Sequence, residues 1–296
     1  MANLRDIRRR IKSVKNTSQI TKAMQLVAAA KMKKAQDQAV AGREYSDRLN
    51  AVLANLKDTI EEEHDLLKSP QGGKEMMLVI STDKGLCGGL NTNLFKKVRA
   101  EAAEGSEFIT VGRKLRLALA KMKENLVADW EVHDPVPFAD AKPIATFLTE
   151  RFLTGEYSCI KVAFTNFETT LTQMPWVSQL LPIESSKLAE KREFEGLGEE
   201  IPEPKKEATF TTDYVFEPSP DGVLDHLLPL YINYQVYQML LEARASEHSA
   251  RMVAMKSATD NAESMIKDLT LEYNKVRQAA ITSELLEITT AMKAME

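Results

Sequence analysis

Apolar side chains recur between Leu224 and Ala280 at spacings that alternate between three and four residues. Almost every position in this series is apolar, and the exceptions are Gln238, His248 and Thr259. A heptad pattern sustained over such a length is typical of a left-handed coiled coil. The pattern therefore predicts one long helix over residues 221–296.

The beginning of the chain shows a less regular pattern, which predicts a second long helix over residues 1–69. Its apolar positions include Leu4, Ile7, Ile11, Val14, Ile20, Met24 and Val27, and a further series runs from Ala35 to Leu56. Residues 1–69 contain no proline and residues 223–296 no glycine, and these two residue types are the least favourable inside a helix. Because both helices flank the same central segment, we expect an antiparallel pair. Pro229 is expected to start or kink the second helix.

The middle of the chain, residues 70–220, is rich in turn residues and alternates between strand and helix patterns. Short apolar or β-branched runs predict strands over 76–81, 108–112, 157–169, 176–183 and 213–218, and helical patterns occupy 98–105, 115–125 and 144–154. Such alternation favours a sheet with parallel strands. The predicted fold class is α/β: an antiparallel coiled coil of long N- and C-terminal helices plus a central Rossmann-like α/β domain. Residues 185–209, rich in Glu, Lys and Pro, are predicted to form an exposed excursion.

Charge is distributed unevenly along a chain whose formal net charge is −4. In residues 1–34, Asp6 is the one acidic residue among many Lys and Arg. A basic block of this kind can bind nucleic acid. Here, however, the apolar positions run through the block itself, which favours a helix surface facing solvent or an acidic partner. Cys87 and Cys159 offer no disulfide framework or metal-ligand spacing, as is typical of a reducing compartment.

The sharpest local motif is STDKGLCGGLN at residues 81–91, directly after the first predicted strand. A glycine-rich turn between strand and helix can cradle a phosphate. The spacing matches neither G-x-G-x-x-G nor G-K-[ST], so we interpret the motif as a tight turn with Cys87 as a small buried side chain. No carboxylate pair, Ser/His/Asp set or ligand cluster stands out, which predicts no active site, cofactor site or metal site. Two alternatives remain open: a nucleotide-binding enzyme, and a coiled-coil nucleic-acid or scaffold protein.

Three segments resemble one family. Residues 7–36 (IRRRIKSVKNTSQITKAMQLVAAAKMKKAQ), 80–91 (ISTDKGLCGGLN) and 246–288, which include ARMVAMKSATDNAESMIKDL, are similar to the γ subunit of the rotary F-type ATP synthase of bacterial type. The family signature usually closes with Gly-Ala, where this chain has Ala291-Met292. Neither cysteine lies in a regulatory insertion such as chloroplast relatives carry, so the resemblance implies no thiol switch.

The resemblance implies a central rotor shaft that transmits torque between the membrane c-ring and the catalytic sites of the α/β hexamer, beside the ε subunit. It implies no active site and no cofactor in this chain, since catalysis belongs to the β subunits. It also implies no nucleic-acid partner, and a peripheral position on the cytoplasmic face of the bacterial inner membrane, held through the complex.

Matching positions of the family motifs yields three sets of expected hexamer contacts. Met24 is expected to face a loop of a β subunit. A polar set near the C-terminus is expected to bond to the hexamer, namely Arg277, Gln278, Thr282, Glu284 and Glu287. A basic set on the first helix is expected to meet acidic surface, namely Arg8, Arg9, Lys12 and Lys15.

Overall fold

The computed structural model describes residues 4–57, 64–68, 70, 72–183 and 219–295. The helices in these ranges are α1 (Leu4–Lys57), α2 (Leu90–Glu101), α3 (Arg113–Lys121), α4 (Phe138–Leu153) and α5 (Pro220–Met295). The strands are β1 (Lys74–Ile80), β2 (Glu107–Val111), β3 (Asn125–Trp130), β4 (Tyr157–Phe167) and β5 (Gln173–Leu181). The chain thus has two long helices at its ends and an alternating α/β segment between them, as the sequence predicts.

The strands form one sheet in the order β3-β2-β1-β4-β5. The pairs β3–β2, β2–β1 and β1–β4 are parallel, and β5 runs antiparallel to β4. The central strand β1 is buried on both faces, as is usual for parallel sheets covered by helices. Leu78 and Ile80 belong to the core that includes α4 and the inner parts of α1 and α5. Met77 and Val79 pack in a second core with α2 and α3.

The described chain divides into two compact units, and the larger comprises residues 28–251. In this unit the Tyr234 hydroxyl donates to the Gly42 carbonyl at 2.7 Å. A cavity of about 200 Å³ is lined by Lys31 and Gln38, which precede Gly42 on α1, and by Leu241 and Arg244, which follow Tyr234 on α5. Earlier residues of α1 therefore lie beside later residues of α5, which is the antiparallel arrangement that we expected.

The smaller unit comprises residues 1–27 and 252–296. Its α5 segment follows the predicted heptad: Met255, Thr259 and Ala262 are buried, and the later positions of the series through Ala280 are half-buried. On α1, Ile7 is buried as expected. The coiled-coil pattern predicted for the C-terminal helix is thus confirmed at the level of individual positions.

The α1 side of this pairing corrects the predicted apolar series. Ile20 and Val27 are 60% and 57% exposed, whereas Ser18 and Thr21 are buried. The hydroxyl oxygens of Thr21 and Thr259 are 2.7 Å apart, and Thr21 also bonds to the Ser18 carbonyl. Polar residues thus occupy the buried stripe because their hydroxyls find partners within it. A count of apolar residues alone could not detect this.

Several predicted boundaries are wrong. Helix α2 begins at Leu90, not near residue 98, and β3 was missed, since its half-exposed residues lack a clear alternation. Helix α5 begins at Pro220 and contains Pro229, so Pro229 does not start it, and the alternative that it kinks the helix stays a prediction. The predicted strand over 213–218 and the excursion over 185–209 lie outside the described residues, and the domain boundaries near 70 and 220 stay a prediction.

Candidate functional site

The carboxyl edge of the sheet, where the parallel strands end, carries a dense polar network. The strand order reverses between β1 and β4, and open α/β sheets usually bind their ligands in the crevice at such a switch point. Here side chains of α5 lie at this edge. The Ser246 hydroxyl donates to the Thr165 carbonyl of β4 at 3.0 Å, and Ser249 to the Thr170 carbonyl at 2.8 Å. Helix α5 therefore packs where a ligand would otherwise bind.

Arg244 is the first charged member of the network. Its Nη1 is 2.8 Å from Glu247 Oε2, and its Nη2 is 3.0 Å both from Asp83 Oδ2 and from the Val132 carbonyl. The side chains of Arg244 and Glu247 are 9% and 5% exposed. Burial alone would lower the pKa of the Arg244 guanidinium, but the charges of Glu247 and Asp83 raise it above its usual value. The Arg244 guanidinium therefore stays charged in this buried position.

Arg251 extends the network to the glycine-rich loop after β1. Its Nη2 lies 2.6 Å from Glu247 Oε1 and 3.4 Å from the Lys84 carbonyl, and its Nε donates to the Gly85 carbonyl at 3.4 Å. The loop thus presents carbonyl oxygens to a cation of the same chain. A phosphate cradle would need backbone N–H groups directed at the ligand.

Within that loop, Cys87 is 3% exposed, which confirms its interpretation as a small buried side chain. The Asn91 amide nitrogen lies 3.4 Å from Cys87 Sγ and donates to Thr82 Oγ1 at 2.8 Å. Gly88 has φ of +60°, a conformation that glycine adopts without steric cost. The loop is therefore a tight turn closed by its own side chains.

Asp134, in the loop between β3 and α4, links the network to α1. Its Oδ2 lies 2.7 Å from Lys31 Nζ and 3.3 Å from His248 Nε2, the latter at ion-pair distance but without hydrogen-bond alignment. The close approach of His248, followed by that of Lys31, holds the pKa of the Asp134 carboxyl well below its usual range. Asp134 is therefore an ionised group shared between the two long helices.

A separate polar cluster lies at the amino edge of the sheet. Glu107 accepts bonds from Lys74 Nζ at 2.8 Å and from the Tyr157 hydroxyl at 2.7 Å. Both donors lower the pKa of Glu107. Burial, together with Glu107, raises the pKa of Tyr157 to about 12. These three residues join the first residues of β1, β2 and β4, which is a structural role.

The expected hexamer contacts all lie in the smaller unit, and most are exposed. Met24 is half-buried. Arg9 pairs with Asp6 at 3.2 Å, and the Thr282 hydroxyl donates to the Gln278 carbonyl at 2.9 Å. The exposed members are Arg8, Arg9, Lys12, Lys15, Arg277, Gln278, Thr282, Glu284 and Glu287. The structure places the C-terminal set along consecutive turns of α5 and the basic set on the first turns of α1.

The end of α5 also exposes large apolar side chains. Ile281 is 48% exposed and Leu286 is 61% exposed. Other exposed members of this apolar surface are Leu285, Ile288 and Met292. Ile281, Leu285, Ile288 and Met292 follow one another at spacings of three and four, so they share a helix face, and an exposed apolar face of this kind commonly marks a contact with a partner.

Sequence reasoning missed the network at the carboxyl edge. One signal was available, because Arg244, Glu247, His248 and Arg251 share one helix face at spacings of three and four, on a helix whose heptad positions are mostly apolar. Asp83 and Asp134 stand in loops, where no periodicity distinguishes them. Among the described residues no cluster of His, Cys, Asp or Glu fits a metal ion. None of the described helices is long and apolar enough to cross a membrane.

The chain is similar to known proteins over nearly its full length. The model of the family described as ATP synthase matches residues 3–295. The ATP synthase gamma chain of Akkermansia muciniphila is 52% identical over 296 residues, covering all of both chains. That of Opitutus terrae is 48% identical over 295 residues, covering 99% of each chain.

Two solved structures share the fold of this chain. A chain from the rotor of the Euglena gracilis mitochondrial ATP synthase matches with a TM-score of 0.64 at 19% identity, covering 94% of this chain and 98% of that one. A chain from the central stalk and c-ring of the Tetrahymena thermophila enzyme matches with a TM-score of 0.59 at 24% identity, covering 81% and 99%. Since the family model and the full-length relatives agree, the chain belongs to the ATP synthase gamma chain family.

Proposed function

We propose that the chain is the central rotor shaft of a proton-translocating F-type ATP synthase, carrying torque between the membrane c-ring and the catalytic sites of the α/β hexamer. The observation that carries the proposal is the exposed apolar surface at the end of α5, on a chain of the gamma family. Such a surface is costly in water, and an apolar sleeve formed by the hexamer would cover it.

In this role the chain has no catalytic site of its own. Its partners are the α, β and ε subunits and the c-ring, and it is peripheral to the cytoplasmic face of the bacterial inner membrane. A shaft acts on a catalytic site by contacting it differently at each angle, which shifts the site's conformational equilibrium. The network at the carboxyl edge supports this reading over a nucleotide-binding one, because Arg251 bonds to the loop carbonyls that border the crevice.

The hexamer contacts belong to the same proposal. The exposed basic set near the start of α1 would meet acidic surface, and Met24 would touch a β-subunit loop. Arg277 would hold a carboxylate or backbone carbonyls in a bidentate grip. Gln278 would add a neutral hydrogen bond, and so would Thr282 once its hydroxyl is released from the Gln278 carbonyl.

The polar set is tested by the double substitution Arg277→Ala with Gln278→Ala. Loss of two or three hydrogen bonds that form at particular angles would cost about 1–2 kcal/mol. We expect the ATPase activity of the assembled complex to fall severalfold. The measurement is steady-state ATP hydrolysis by complexes of matched subunit content.

Deletion of residues 292–296 is the matched comparison for the double substitution. These residues lie beyond the heptad series, and their loss removes Met292 alone from the apolar surface while Ile281, Leu285, Leu286 and Ile288 remain, so it should reduce activity much less. A deletion more damaging than the double substitution would place the torque contact at the helix tip instead.

The proposed function as a whole is tested by rotation. The complex purified from native membranes should contain this chain together with α, β and ε subunits. With the β subunits fixed to glass and a bead attached to α3 of this chain, ATP should drive continuous rotation in one direction. Co-purification without rotation would refute the shaft role.

A further inference from the structure

The seven-residue loop between β3 and α4, residues 131–137, contacts both long helices of the larger unit. We call this segment the β3–α4 loop. Its Val132 carbonyl accepts from Arg244 of α5 at 3.0 Å, and its Val136 carbonyl accepts from Gln38 Nε2 of α1 at 3.2 Å. Between them, Asp134 lies against Lys31 of α1 and His248 of α5. One short loop therefore holds the two helices in register with the sheet.

The loop is also anchored on its own side. The backbone N–H of His133 and its ring Nδ1 both lie 2.9 Å from Asp140 Oδ2, in the first turn of α4. Val132 and Val136 are buried. Movement of the helices against this loop would therefore strain α4 and β3, which are integral parts of the sheet domain.

The direction of the hydrogen bond between Arg251 and His248 is defined. Arg251 Nη1 lies 3.3 Å from His248 Nδ1, and arginine can only donate, so Nδ1 is the acceptor of the ring. The ring proton then sits on Nε2, the nitrogen nearest to Asp134 Oδ2. Charged groups near this imidazole include Arg251 on α5, Asp134 on the loop and, on the far side of that carboxylate, Lys31 on α1.

Directional contacts matter here because torque is a sideways load. The hydrophobic effect is non-directional. A helix packed only against an apolar surface therefore resists sliding or twisting less than a helix that is also hydrogen-bonded to it. Hydrogen bonds weaken steeply when their geometry is distorted, and they therefore resist twisting. We infer that the β3–α4 loop is the joint that passes torque between the helix pair and the sheet domain, with Asp134 as its principal positioning residue. This inference rests on the proposed shaft function.

The experiment measures the twist of the joint in the assembled complex. The β subunits are fixed to glass, and a bead is attached through Lys121→Cys on the exposed face of α3, with Cys159→Ser to prevent second labelling. Without ATP, the angular fluctuation of the bead reports the torsional compliance of the shaft. Asp134→Asn removes the carboxylate charge that pairs with Lys31 and lies against His248, and we expect the variance of the angle to rise about twofold.

The matched control is Asp129→Asn. Asp129 pairs with Arg116 at 2.6 Å, but this pair joins α3 to β3 and touches neither long helix, so the variance should stay at the wild-type value. Gln38→Met removes the hydrogen bond to the Val136 carbonyl without leaving an unpaired charge. It serves as the test variant if the complex with Asp134→Asn fails to assemble. It too should widen the distribution.

Equal variance in wild type, in Asp134→Asn and in Gln38→Met would overturn the inference. An increase in Asp129→Asn as large as that in Asp134→Asn would overturn it as well, because general loosening of the sheet would then explain the result. The shaft proposal fails separately, if the wild-type bead does not rotate when ATP is added.

Discussion

Replacement of Gly112 by alanine should destabilise the chain by about 4 kcal/mol, at the upper end of what single substitutions do. Gly112 lies between β2 and α3 with φ of +91°, where a side chain is strained. A Cβ atom at this position would stand 2.2 Å from the Ser81 carbonyl oxygen and 2.8 Å from its carbon. Those atoms are backbone, so the clash cannot be relieved by a rotamer change.

The damage should spread to the polar network. The Ser81 hydroxyl donates to the Val111 and Gly112 carbonyls and accepts from the Leu115 N–H. Ser81 also begins the loop that carries Asp83, the partner of Arg244. A shift of Ser81 would therefore disturb β1, α3 and the carboxyl edge together.

Urea unfolding followed by tryptophan fluorescence measures the effect, since Trp130 is bonded through its carbonyl to the Gly112 N–H. Gly105→Ala is the control. Gly105 also has positive φ, at +80°, but a Cβ there would meet nothing within 4 Å. Only the backbone strain of about 1–2 kcal/mol should appear. Equal losses in the two variants would show that the Ser81 contact is not what makes Gly112 indispensable.

The second large effect is expected for Arg244→Met, which should cost about 3 kcal/mol of unfolding free energy. The Glu247 carboxylate is 5% exposed and pairs with both Arg244 and Arg251. The substitution removes one of these two ion-pair partners. It also leaves Asp83 and the Val132 carbonyl without this donor. Methionine fills much of the same volume, so the loss is electrostatic rather than a cavity.

Arg116→Met is the comparison for this variant. Arg116 pairs with Asp129 at 2.6 Å, but the two side chains are 34% and 48% exposed, and exposed pairs contribute about 1 kcal/mol or less. Thermal and urea unfolding of both variants under identical salt would measure the difference. If Arg244→Met proved as mild as Arg116→Met, the buried pair would be stabilising the fold no more than a surface pair does.

Much of the architecture could be predicted because it depends on local pattern. The heptad from Leu224 to Ala280 could be recognised in the sequence, because the same apolar spacing recurs wherever a residue faces a partner helix. Strand β1 was predicted because Met76–Ile80 is a continuous apolar run, and every one of its residues is buried. Strand β3 was not, because its half-exposed residues carry little hydrophobic signal.

The sequence by itself determined that two long helices flank an α/β segment and that the chain resembles the gamma family, because helix breakers, heptads and motifs are written in consecutive residues. Only the tertiary structure decided that α5 lies across the carboxyl edge of the sheet, and that Asp134 meets both Lys31 and His248. Those partners are separated by about a hundred residues or more, and their pairing depends on where the strand order reverses. Local periodicity contains no information on contacts between residues so far apart in sequence. Burial and charge compensation depend instead on which side chains the folded chain places side by side.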